Sequence, residues 1–95
     1  MSIQYLQFAA DVVKPETLRE ISRMLGAPGY SIADRWALSV PTKMRKMEAA
    51  GTLVPMLLKQ ETLEMETISD ARADGIPMDT PDSEILQMYE IRLIP

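Results

Sequence analysis

Residues 52–75 read TLVPMLLKQETLEMETISDARADG, and the reading of this stretch decides the fold. Leu53, Met56, Leu57, Leu63, Ile68 and Ala71 recur at helical intervals and fall on one side, while Glu61, Glu64, Glu66 and Asp70 lie elsewhere. Thr52 opens this longest helix and Gly75 closes it. A run of acids beside an apolar face is ordinarily solvated, so the four carboxylates are expected to look outward.

Working back from Thr52, Ser39 is expected to cap a helix that continues through Pro41 to Ala50, with Gly51 as its stop and Met44 and Met47 on its inner face. A shorter helix before it starts at Ser31, which with Asp34 approaches a capping box, and runs to about Leu38. Ala27-Pro28-Gly29-Tyr30 reads as a loop. Lys14-Pro15-Glu16 opens another helix, because proline in the first turn loses no hydrogen bond and an acid there complements the helix dipole. Leu18, Ile21, Met24 and Leu25 form its apolar face, and Gly26 ends it. Residues 2–13 suit either a short helix capped by Ser2 or a strand alternating at Ile3, Tyr5 and Gln7, with Phe8-Ala9-Ala10 tipping the balance to helix.

Downstream of Gly75, Pro77 and Pro81 each remove a backbone donor and restrict the preceding residue, so 76–81 cannot be regular helix. Pro81-Asp82-Ser83-Glu84 is a helix start leading into Ile85, Leu86, Met88 and Tyr89, and Tyr89 to Ile94 also alternates as a strand would. The expected fold is mainly α, a compact bundle of about five helices, with short strands admissible at the two ends. At 95 residues with 46% hydrophobic content the chain is expected to be one helical domain, 1–95.

Charge divides this domain in two. Lys14, Arg19, Arg23, Arg35, Lys43, Arg45, Lys46 and Lys59 make 14–59 basic against four acids, whereas 60–95 carries nine acids against Arg72 and Arg92, within a net charge of −4. Two electrostatic faces suit binding to a charged partner or to another copy. The absence of Cys removes disulfides and thiolate metal sites, and the absence of His removes the commonest general base. The glycines form neither a dinucleotide fingerprint nor a phosphate loop. No catalytic, cofactor-binding or metal-binding residue is therefore assigned, no cofactor is implied, and the chain reads as non-enzymatic. MSIQYLQFAADVV has neither a basic leader nor an unbroken apolar span, so a cytoplasmic protein without a membrane partner is expected.

Residues 31–55, SIADRWALSVPTKMRKMEAAGTLVP, resemble the helix-turn-helix of MerR and excisionase-like DNA-binding regulators. Ala33 stands at the small position of the first helix, Ser39 and Thr42 near the start of the second, and Arg45, Glu48, Gly51, Leu53 and Pro55 follow in register. The resemblance implies that Lys43, Arg45 and Lys46 point at DNA, with Thr42 near the phosphates.

The methionines suggest a different use. Beyond Met1, seven methionines are many for this length, and Met is favoured on adaptable binding surfaces. Most are expected to fill a core poor in aromatics, with Met56 or Met65 as an exposed anchor and Trp36 either core or a partner's hot spot. The leading expectation is a small protein-interaction module (assembly component, adaptor or inhibitor), of a size that suits a phage or another mobile element. It would bind a protein partner or a second copy through Trp36, Met56, Met65, Glu61, Glu64 and Glu66. The alternative is a DNA-binding regulator using Thr42, Lys43, Arg45 and Lys46.

Overall fold

A computed structural model describes residues 6–95, and every regular element in it is helical. A short 3-10 turn, Ala9–Asp11, precedes five helices: α1 (Pro15–Met24), α2 (Ala27–Ser39), α3 (Pro41–Ala50), α4 (Leu53–Ala73) and α5 (Asp82–Met88). Among the described residues there is no strand: after α5 a turn at 89–90 leads into 91–95, which form no regular element. The expectations placed on Ser2, Ile3 and Tyr5 lie outside the described residues.

Proline and glycine punctuation sets most boundaries. Pro15 and Pro41 are the first residues of α1 and α3, where a missing N–H is no loss. Gly51 ends α3 in the left-handed conformation, φ 76°, and its neighbour Thr52 donates back to the Met47 carbonyl at 2.9 Å. Gly75, at φ 99°, turns the chain out of α4.

The start of α2 departs from expectation. Ala27-Pro28-Gly29-Tyr30 is not a loop but the first turn of this helix, and Ser31 lies inside it rather than capping it. The cap comes from elsewhere. Glu61 Oε2, on α4, accepts from the backbone N–H groups of Gly26 (3.0 Å) and Gly29 (2.8 Å), so a carboxylate remote in sequence satisfies donors that no local side chain meets. The same device recurs. Asp34 accepts from the Phe8 and Ala9 N–H groups at the 3-10 turn instead of closing a capping box with Ser31, and Glu48 accepts from Lys14 N at the head of α1. Ser39 is likewise the last residue of α2; Val40 alone links it to α3.

Two apolar cores result. The larger joins α1 to α4 through Ile21, Ile32, Trp36, Met44, Leu53 and Leu57. The smaller holds Ile68 and Ala71 of α4 against Ile85 and Leu86 of α5, with Ile76, Ile91 and Leu93 at its edge. Helix α4 spans both.

Gly29 tests the remote cap. A Cβ there would overlap the Leu25 side chain and sit 2.7 Å from Glu61 Oε2, whereas at Gly26 its nearest neighbours are 3.7 Å away. Gly29→Ala is therefore expected to destabilise by about 2 kcal/mol, despite alanine's better helix propensity, and Gly26→Ala by far less. Urea unfolding of both variants against the parent measures the difference.

Candidate protein-interaction surface

The inward face of α4 runs Leu53, Leu57, Glu61, Glu64, Ile68, Ala71, in steps of three and four, all of them buried except the half-buried Glu61. It therefore passes over two carboxylates, and the expectation that Glu61 and Glu64 share a solvated face is overturned. Glu64 is only 5% exposed. It takes a two-pronged contact from Arg35 of α2, Nη1 to Oε2 at 2.8 Å and Nη2 to Oε1 at 3.1 Å, and a third bond from Gln60 Nε2 at 2.7 Å. A planar guanidinium meeting a carboxylate in this way compensates the desolvation that burial demands. Of the three glutamates expected to meet a partner, Glu66 alone is exposed.

Trp36, the second ambiguous residue, is core. It is 1% exposed, and its Nε1 donates to the Leu93 carbonyl at 2.9 Å, so it presents nothing to a partner. Met56 and Met65 lie outside the inward face of α4, 39% and 43% exposed, as does Leu63, because that face follows Glu61 and Glu64 in their stead. The expectation that methionine mostly fills the core is corrected too. Among the described methionines Met44 is buried and Met47 half-buried; Met24, Met56, Met65, Met78 and Met88 are exposed, Met78 by 88%.

Met65 stands on a groove of about 460 Å³ between α2, α4 and α5, whose apolar wall includes Ala27, Pro28, Ile68, Leu86 and Leu93. Arg35 and Glu64 also line it, and Asp82 belongs to the same groove through the first turn of α5. In the second half of α4 and beyond, Glu66, Asp70, Asp74, Asp79, Glu84 and Glu90 are all exposed, with Glu66 on a separate recess beside Leu58, Lys59, Thr62 and Leu63. Sequence pattern missed the groove because its ion pair joins residues far apart in the chain and its apolar wall comes from three helices.

The basic candidates sit apart from it. Thr42, Lys43, Arg45 and Lys46 are exposed on α3, while Met44 and Met47 turn inward. Lys43 Nζ donates to the Pro95 carbonyl at 2.7 Å, and Arg45 borders a recess with Val12, Lys14 and Glu16. Among the described residues no group of three or more His, Cys, Asp or Glu could hold a metal ion, and no helix is long and apolar enough to cross a membrane. Comparison with family models, with characterised proteins and with solved structures finds no match.

The ion pair makes a definite stability statement. Arg35→Met leaves the buried Glu64 carboxylate with Gln60 alone and is expected to cost about 3 kcal/mol. The double variant Arg35→Met, Glu64→Leu should recover much of that loss, since two apolar side chains leave no charge behind. A double-mutant cycle by chemical denaturation gives the coupling.

Proposed function

We propose that this chain is a non-enzymatic protein-interaction module, binding a partner through the Met65 groove and the exposed carboxylates between residues 66 and 90. The observation that carries this reading is the exposure of five of the seven described methionines. Long unbranched apolar side chains left in water gain nothing for the fold, whereas on a binding face they repack against partners of varied shape. Asp82 on the groove and the exposed carboxylates between residues 66 and 90 would steer a basic partner toward it and set its orientation. Met65 is the side chain through which contact in the groove is made, and Glu66, on the neighbouring recess with Leu58 and Leu63, would extend it. Trp36, Glu61 and Glu64 act behind it, fixing α2 and α4 as its walls.

Methionine oxidation footprinting tests this reading whatever the partner is. In the purified protein Met24, Met56, Met65, Met78 and Met88 should oxidise readily and Met44 slowly. In cells that express it, Met65 should be protected relative to Met24 on α1. Equal oxidation of Met65 in both settings would remove the groove from consideration.

A second reading is favoured by the joint exposure of Thr42, Lys43, Arg45 and Lys46 on one short helix. Under it the chain is a DNA-binding regulator with α3 against the duplex, and the acidic half serves dimerisation or association with another protein. Duplex DNA should then bind at low salt. Changing Lys43, Arg45 and Lys46 to Ala should weaken binding and reduce the slope of log K against log salt by roughly 0.9 for each phosphate that is no longer neutralised. No shift with duplex DNA at low salt would leave the interaction reading alone.

A further inference from the structure

Helix α5 and the residues after it form an arm joined to the rest of the molecule by one irregular connection, residues 74–81. Ile85, Leu86, Ile91 and Leu93 of the arm close the smaller core against Ile68 and Ala71 of α4. Beyond α5 the arm is held by side-chain donors of the body. Gln60 Nε2 donates to Arg92 O at 2.7 Å, Arg35 Nη1 and Trp36 Nε1 donate to Leu93 O at 3.1 and 2.9 Å, and Lys43 Nζ donates to Pro95 O at 2.7 Å. Among the described residues no backbone–backbone hydrogen bond ties 92–95 to the body. Each of these bonds ends on a main-chain carbonyl. The seat thus reads the main-chain carbonyls of a segment carrying apolar side chains at Ile91 and Leu93, and nothing in it requires that the segment belong to the same chain.

We infer that two copies of this chain exchange arms, residues 82–95 of each docking on α2, α3 and α4 of the other. The connection is built to allow it. Gly75 supplies the reversal after α4, and Pro77 and Pro81 bias Ile76 and Thr80 toward extended backbone. Stretched out, residues 74–81 would span roughly 26 Å, enough to carry the arm away from its own α4. Arg72 clasps the far end of the connection, donating from Nη2 to Thr80 O at 3.1 Å and to Asp82 Oδ1 at 2.8 Å. The Asp82 side chain is 63% exposed, so the ionic part of this clasp is weak in water. All arm contacts re-form on the second copy, which leaves protein concentration and the geometry of the connection to set the balance between closed monomer and exchanged dimer. The inference stands independently of the methionine surface.

Cross-linking between differently labelled full-length chains tests it, and the absence of cysteine provides a clean background. One chain carries Lys43→Cys and the other Pro95→Cys. They are mixed, warmed to let arms exchange, and treated with a short bis-maleimide. A mixed-chain adduct is expected in severalfold excess over a control pair with the body cysteine at exposed Arg19, rising with total concentration. Deleting Met78 and Asp79, both exposed, should shorten the connection and increase the adduct further. A chain carrying both Lys43→Cys and Pro95→Cys should close on itself when dilute.

Three results would overturn arm exchange. The first is closure of the double variant within one chain at every concentration, with no mixed adduct. The second is failure of the double variant to close at all, which would mean that the arm does not occupy this seat. The third is a dimer by light scattering without the mixed adduct, which would place association on another face and leave the proposed interaction function intact.

Discussion

A charge on the inward face of a helix is tolerable only when another element supplies it with partners, and the arrangement of this molecule depends on half-buried Glu61 and buried Glu64 of α4 meeting that condition. Both find their partners on α2: Glu61 at its first turn, Glu64 on the Arg35 side chain one face further along. Together they fix the axial position and the rotation of α2 against α4. Apolar packing alone constrains such a pair less closely, since hydrophobic contacts are non-directional. Once α2 is placed, Trp36 is placed, and its indole and Arg35 jointly hold the Leu93 carbonyl. The two cores are thus connected by a polar seam rather than by continuous hydrophobic contact.

Remote capping follows the same logic. None of the five α-helices has a side-chain bond from its own N-cap residue. Carboxylates of Asp34, Glu48 and Glu61 serve backbone donors at the 3-10 turn, α1 and α2 from positions at least twenty-five residues away in sequence. A local cap stabilises a helix whether or not the rest of the protein is folded; these act only after tertiary contact has formed. Part of the acidity in this chain is therefore structural and is not offered to a partner. Of the remaining exposed acids, Asp11, Glu16 and Glu20 lie on the 3-10 turn and α1, and the other seven on the second half of α4, the 74–81 connection, α5 and Glu90 just after it, while α3 carries exposed Lys43, Arg45 and Lys46.

How far the sequence was legible follows from this distinction. Helices that begin at a proline or end at a glycine were readable, because those residues act through backbone geometry alone: α1, α3, α4 and the start of α5 lie close to their expected bounds. The first turn of α2 was not, since Pro28 and Gly29 look like a loop until Glu61 is brought beside them. The α4 face was misread for a related reason. Grouping apolar residues put Met56 and Leu63 on the inner side, whereas the helical path through Leu57, Glu61, Glu64 and Ile68 keeps a constant face only if carboxylates are admitted to it. Trp36 and the methionines show the limit of residue type as a guide: one ring with a polar handle went inside because Leu93 O receives it, and a set of apolar side chains stayed outside.

Synthesis of the chain from its N-terminus gives the Glu61 cap a consequence in time. When residues 27–39 leave the ribosome they carry Pro28, Gly29 and no local cap, and the carboxylate that completes their first turn has yet to be made. Isolated helices of this length are marginal in water. The nascent N-terminal half is therefore obliged to wait, with Ile32 and Trp36 unburied, until α4 has emerged. A chaperone that shields short apolar segments during that interval would act on the segment that becomes α2.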